Sequence, residues 1–341
     1  LVLGAGGVVG HAYHVGVLSA LADDLGWDAS AADLIVGTSA GSVVGASLRA
    51  GLHPSDMRCR ALREPLSSKG AALVCRADAA IAAATAAVAS HPSGAEGDGD
   101  GDGVPSAFGM MGRRWRIASP QRVRRALREP WRVTPGSLLS AVLPAGRQST
   151  VHLRAPYDEI LGRTWPKRDL WIVAVDLDLG PRVVFGRDGT PPVTVGQAVE
   201  ASCAIPGYFA PVAIDAVRYV DGGVHSTTNA DLVADRDPRP DLVVVSAPMS
   251  AVRGAVPRSQ RLSIRQLVRR QLAGEVAALR AKGLEVVTFQ PTAEDVAAMS
   301  GDSMDPAKGS TVCAQAVQST RAHLAEGDIG ERLAPLITAR R

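Results

Sequence analysis

Short apolar runs alternate with clusters of glycine and small residues along the first fifty positions. Leu1–Leu3 reads as the end of a buried strand, and Gly4-Ala5-Gly6-Gly7-Val8-Val9-Gly10 as a glycine loop. From His11 to Leu25 the apolar residues Val15, Leu18, Leu21 and Ala22 follow a helical period, and Gly26 is placed to stop that helix. Asp33-Leu34-Ile35-Val36 predicts a short buried strand, residues 37–41 a turn of small residues, and residues 42–50 a second helix. Strand, loop and helix in immediate repetition predict an α/β fold built on a mainly parallel sheet.

The same alternation returns in the second half. Strands are expected at 170–177, 183–185, 218–220, 241–246 and 285–289, and helices at 193–202, 260–282 and 308–326. Within the run 241–246, Leu242 to Val245 are continuously apolar, as suits a strand covered on both faces. The stretch 53–157 breaks the pattern and reads as a helical insertion or lid on one domain spanning 1–341. Within it, Ala71–Ser90 is alanine-rich and expected to be a packing helix, with Arg76 and Asp78 close enough for a local ion pair. Residues 94–103 alternate glycine with Glu96, Asp98, Asp100 and Asp102 and are expected to be a disordered linker. Then come Arg113, Arg114, Arg116, Arg122, Arg124, Arg125, Arg128 and Arg132, with Trp115 and Trp131. This stretch reads either as a solvated lid face or as an interfacial helix touching a membrane surface from one side.

Composition narrows the function classes. A net charge of +3 and an aromatic content of 4% give no basis for a nucleic-acid partner. Cys59, Cys75, Cys203 and Cys313 lie far apart, without a CxxC pair or histidines at ligand spacing. Neither a metal site nor a disulfide framework is expected, and reduced thiols suit a cytoplasmic protein. Leu1–Gly10 is too short and glycine-rich for the apolar core of a signal peptide. No uncharged apolar run reaches about 18 residues, so no spanning helix is expected.

The candidate chemistry begins at Gly37-Thr38-Ser39-Ala40-Gly41, a G-x-S-x-G pattern between a strand and a helix. A nucleophilic serine there would sit on a sharp turn that needs small neighbours, close to a helix N-terminus that favours negative charge. Gly4–Gly10 admits two readings. As a dinucleotide loop it lacks the acidic residue wanted at the end of the next strand, since Asp33 stands at that strand's start. As an oxyanion hole it offers backbone N–H groups that a substrate can approach closely. The proton acceptor is likewise open. His225 and His323 carry no signature that places them beside Ser39, whereas Asp221-Gly222-Gly223 ends a strand at what would be the carboxyl edge of the sheet. An aspartate needs an apolar surrounding to serve as a base, and by itself the segment is also an ordinary Asp-Gly turn.

Taken in order, Gly4–Gly10, Gly37–Gly41 and Asp221–Gly223 resemble the patatin-like phospholipase family. Asp33–Gly41 resembles its D-x-x-x-G-T-S-A-G elbow, Ala198–Pro211 the segment before its aspartate, and Asp221–Asn229 its D-G-G block. The resemblance covers roughly 1–50 and 165–310. It implies a three-layer α/β/α sandwich and hydrolysis of acyl lipids without metal or cofactor. It also implies a dyad of Ser39 and Asp221. The oxyanion donors would come from Gly4, Gly6, Gly7 and Ala40, with Gly37, Gly41, Gly222 and Gly223 shaping the turns. The family often has Arg or Lys where Val9 stands, Gly where Ala5 stands, and x-Pro after the position of Asn229. A nucleotide-binding module and a catalytically silent lipid-binding scaffold remain as alternatives, and the oligomeric state is not legible.

Overall fold

The computed structural model describes residues 1–90, 118–120, 122, 146, 148–256 and 263–338. The linker 94–103 and all of the arginine-rich stretch except Arg122 lie outside these residues, as do Trp115 and Trp131.

The strands are β1 Val2–Leu3, β2 Leu34–Thr38, β3 Asp169–Asp176, β4 Arg182–Phe185, β5 Val212–Ile214, β6 Val217–Asp221, β7 Leu242–Ser246 and β8 Glu285–Phe289. They form one sheet in the order β5-β6-β3-β2-β1-β7-β8, with β4 also paired to β3. Neighbours from β3 through β8 run parallel, while β4 and β6 lie antiparallel to β3 and β5 antiparallel to β6.

The helices that position the site are α1 Gly7–Leu25, α2 Ala40–Arg49, α3 Pro54–Leu62, α4 Ser68–Ser90, α5 Val151–Leu161, α6 Val195–Ser202, α7 Ile264–Ala281, α8 Ala293–Ala298 and α9 Gly309–Leu324. The period-2 alternation of the strands sorts their side chains onto two faces. Leu3, Ile35, Ile172, Val244 and Val287 pack with apolar residues of α1, α2, α6 and α9. Val2, Leu34, Val36, Val173, Val245 and Val286 pack with Leu272, Val276 and Leu279 of α7. Two cores on opposite faces of one sheet make the expected three-layer α/β/α sandwich.

Local rules explain the main boundaries. Gly26 ends α1 in the left-handed conformation at φ 64°, its N–H donating to the carbonyl of Leu21. Thr194 and Gln197 close a capping box at the start of α6. Helices α1 and α2 begin earlier than the apolar period suggests, at Gly7 and Ala40, so the last glycines of the loop are helical.

Three expectations change. Arg76 and Asp78 do not pair with each other. Arg76 reaches Glu159 on α5 at 3.2 Å, and Asp78 meets Arg60 on α3. Helix α4 is long and apolar enough, by length and composition, to cross a membrane, with a mean hydropathy of 1.6 over its best window. Interruption by Arg76 and Asp78 had hidden this. Arg122 is buried, its Nη1 donating to the carbonyls of Asp176 and Leu177, so it ties down the end of β3 instead of facing solvent.

Candidate active site

Strand β2 ends at Thr38, and the chain must turn at once into α2. Ser39 makes that turn with φ 53° and ψ −120°, a left-handed conformation that an L-residue adopts only when its surroundings enforce it. Those surroundings are specific. The N–H of Ser39 donates to Ser202 Oγ at 2.9 Å, and Ser202 Oγ–H donates to the carbonyl of Val173 at 2.6 Å. Ser42 Oγ–H donates back to the Ser39 carbonyl at 2.6 Å. The crossing is so close that a Cβ on Gly41 would lie 2.0 Å from the carbonyl oxygen of Leu3. Only glycine fits there.

Asp221 arrives from the other direction. Strand β6 runs antiparallel to β3, so Asp221 does not end a parallel strand, as the apolar pattern suggested. Register brings it to the site instead. Val173 pairs with Thr38 of β2, and the next residue, Ala174, pairs with Asp221 of β6. Strand β4 pairs with β3 at 172–175, overlapping both partners, so β2 and β6 share the opposite edge of β3 end to end. Ser39 therefore leaves the ladder where Asp221 joins it. A Cβ on Gly222 would lie 2.4 Å from the Val173 carbonyl, so this turn also requires glycine.

The Asp221 side chain is buried and accepts from the Gly223 N–H at 2.7 Å. Burial pushes its carboxyl up to about 6, although hydrogen bonds from the Ser39 hydroxyl and the Gly223 N–H pull the other way. Ser39 and Asp221 are thus both buried at one cavity, and the affinity of this carboxylate for protons is above that of an exposed aspartate.

Both groups open into a cavity of about 870 Å³, which is also lined by Ala5, Gly6 and Gly7. The N–H groups of Gly6, Gly7 and Ala40 have no hydrogen-bond partner among the described residues; Gly7 and Ala40 are the first residues of α1 and α2. Gly4 differs from expectation. Its N–H donates to the Ser246 carbonyl at 3.0 Å, continuing the β1–β7 ladder, so it offers no free donor. The Ala5 N–H is likewise held, by the Thr227 carbonyl at 2.7 Å. Val9 lines the cavity with an apolar side chain. Among the described residues, Arg265 of α7 is the one Lys or Arg in the lining, a cation contributed from a different element.

No histidine lines the cavity among the described residues. The His225 N–H donates to the Gly222 carbonyl within its own turn, and His323 on α9 packs edge-on against the Phe289 ring of β8. Asp33 stays at the start of β2, at the sheet edge away from the glycine loop. All four cysteines are free, and burial pushes the Cys203 thiol up. No cluster of metal-ligating side chains occurs among the described residues.

A model of the patatin-like phospholipase family matches residues 1–234. The chain belongs to this family. The matched segment holds both the serine elbow and the aspartate strand. No curated protein matches the chain in sequence. Among solved structures it is similar to VipD from Legionella pneumophila, with 11% identity and a TM-score of 0.37. That similarity covers 93% of this chain and 66% of VipD, so the chain spans less than two thirds of that protein.

Several supports of this patatin-like site carry little sequence signal. Glu275, in the middle of α7, accepts from the hydroxyls of Ser226 and Thr228 and, at 3.0 Å, from the Ala230 N–H. It thereby holds the 226–230 loop. From that loop the Thr227 carbonyl fixes Ala5, and Asn229 Nδ2–H donates to Thr38 Oγ1 at 3.1 Å. Asn229 has φ 52°, which its identity as asparagine hints at. Glu275 looks like any other solvent-facing helix residue in the linear chain. His14 is buried with its ring nitrogens 2.8 Å from Ser246 Oγ and the Gly4 carbonyl, joining α1 to the mouth of the loop.

Proposed function

We propose that the protein hydrolyses carboxylic esters of acyl lipids with a Ser39–Asp221 dyad, within a single domain carrying a helical insertion at 53–157. The observation that carries this reading is the convergence of Ser39 and Asp221, both buried, on one cavity beside the glycine loop, where burial pushes the carboxyl up to about 6. Ser39 Oγ attacks the ester carbonyl carbon while its proton passes to Asp221. The carbonyl electrons move onto oxygen, where the N–H groups of Gly6, Gly7 and Ala40 receive the negative charge. The tetrahedral species collapses, the C–O bond to the alcohol breaks, and Asp221 returns the proton to the departing alkoxide. Water then attacks the acyl-serine with Asp221 again taking a proton, releasing the carboxylic acid and restoring Ser39.

The apolar cavity supports both halves of the scheme. It desolvates the carboxylate enough to make it a base near neutral pH, and it accommodates an aliphatic chain. Gly37, Gly41, Gly222 and Gly223 would act by shape, letting two turns and the glycine loop approach one point.

The test is labelling by a fluorophosphonate probe together with turnover of p-nitrophenyl esters and phospholipids. Wild type is expected to be labelled and active, and Ser39→Ala and Asp221→Asn to lose at least about a thousandfold in kcat. Equal labelling of wild type and Ser39→Ala would remove the nucleophile assignment. Lipid binding without any turnover by wild type would favour the silent scaffold.

A further inference from the structure

The cavity is rimmed on its α7 side by apolar residues that stay in solvent. Ile264 lines the cavity yet is 63% exposed, and Leu267 is 56% exposed. Positions 264, 267 and 270 follow at intervals of three along one flank of α7, so the exposed Arg270 continues the row. Arg265 Nη1 donates to the carbonyls of Pro248 at 2.7 Å and Ser250 at 2.9 Å, seating the first turn of α7 on the loop that follows β7. That loop presents Val252 at 39% exposure and then the exposed Arg253. Of the five exposed large hydrophobics among the described residues, three, Val252, Ile264 and Leu267, lie on the first turns of α7 and on the loop that Arg265 ties to it. No ion pair or hydrogen bond engages the guanidinium of Arg253 or Arg270 among the described residues.

We propose that this rim docks on the surface of an anionic lipid bilayer. Aliphatic side chains interleaved with uncompensated arginines match such a surface chemically. The aliphatic groups leave water for the acyl boundary, while the guanidinium groups meet lipid phosphates and carboxylates. The apolar rim is continuous with the apolar lining through Ile264, so a docked molecule would face its cavity toward the lipid. An acyl chain could then reach Ser39 without crossing bulk water. This last step rests on the hydrolase reading, whereas the docking itself does not.

The experiment is co-sedimentation of the full chain with vesicles of phosphatidylcholine alone and of phosphatidylcholine mixed with phosphatidylserine. Leu267→Asp and Arg270→Ala serve as variants because neither residue lines the cavity. Wild type is expected to partition onto the anionic vesicles much more strongly than onto the neutral ones. Leu267→Asp should weaken that partition about tenfold, and Arg270→Ala about fivefold, with thermal unfolding and turnover of a soluble p-nitrophenyl ester unchanged. Partition of both variants equal to wild type, or no binding of wild type to anionic vesicles, overturns the proposal. Self-association in solution that Leu267→Asp abolishes also overturns it, assigning the rim to a second copy of the chain. If the expected partition series appears without ester turnover, docking stands and the hydrolase reading fails.

Discussion

Thr38 and Asp221 pair with consecutive residues of β3, Val173 and Ala174. Ser39 follows Thr38, so the strand that carries Asp221 takes over one edge of β3 where the strand that leads to Ser39 gives it up. The two candidate catalytic groups are adjacent because two ladders meet, although 182 positions separate them in the chain. A shift in the register of β6 would turn its side chains to the other face of the sheet and remove the carboxylate from the site.

The raised carboxyl of Asp221 sets a pH dependence. A base must be deprotonated, so kcat/KM for a neutral ester is expected to rise with pH through an apparent pKa of about 6 and then level off. Because Asp221 binds its proton more tightly folded than unfolded, its contribution to stability runs the other way, falling as pH rises from about 4 to about 6. A pH–rate profile on a soluble ester checks the first part. A profile centred near 4 would mean that the carboxylate is not desolvated during turnover.

Removing the serine hydroxyl removes a hydrogen bond to the charged form of Asp221. In Ser39→Ala the Asp221 carboxyl is expected to titrate above its wild-type value, in the direction burial already drives it. Carboxyl-carbon NMR of wild type and variant measures this directly. An unchanged titration would show that the two side chains do not touch in solution.

His14 predicts acid sensitivity. Burial holds its imidazole down at about 3, so it is neutral in the folded protein. Its Nε2–H then donates to the Gly4 carbonyl and Nδ1 accepts from the Ser246 hydroxyl. The unfolded chain takes up a proton near pH 6.5 and the folded chain does not, so this stabilisation is present above about 6.5 and is lost as pH falls. The slope for one proton is about 1.4 kcal/mol per pH unit. His14→Gln should flatten the acid limb of a urea-unfolding series by about that amount.

Glu275 should matter for the site while lying outside its cavity. In Glu275→Ala the buried donors of Ser226, Thr228 and Ala230 lose a common half-buried acceptor, at about 1–3 kcal/mol for each donor left unpaired. The loosened loop also carries the Thr227 carbonyl that fixes Ala5, so fluorophosphonate labelling is expected to slow along with the loss in urea midpoint. Glu275→Gln keeps one carbonyl acceptor and should fall between the two. Labelling at the wild-type rate in a destabilised Glu275→Ala would confine this residue to stability alone.

The linear chain determined more of the fold than of the site. Apolar runs, helical periods and glycine stops are local, and they placed β2, β3, β7, β8 and α1 within a few residues of their observed bounds. The short strand β5 was not legible, and neither was the antiparallel course of β6, because three to five residues carry no sign of direction. Gly37–Gly41 and Asp221–Gly223 were visible as turns because sharp turns and close approaches demand residues without bulky side chains. That Gly4 spends its N–H on Ser246 while Gly6 and Gly7 keep theirs was decided only by the β1–β7 ladder. Glu275, Ser202 and His14 became partners of the site only in three dimensions. Their side chains meet groups tens to hundreds of positions away, and no local pattern of hydrophobicity encodes such a meeting.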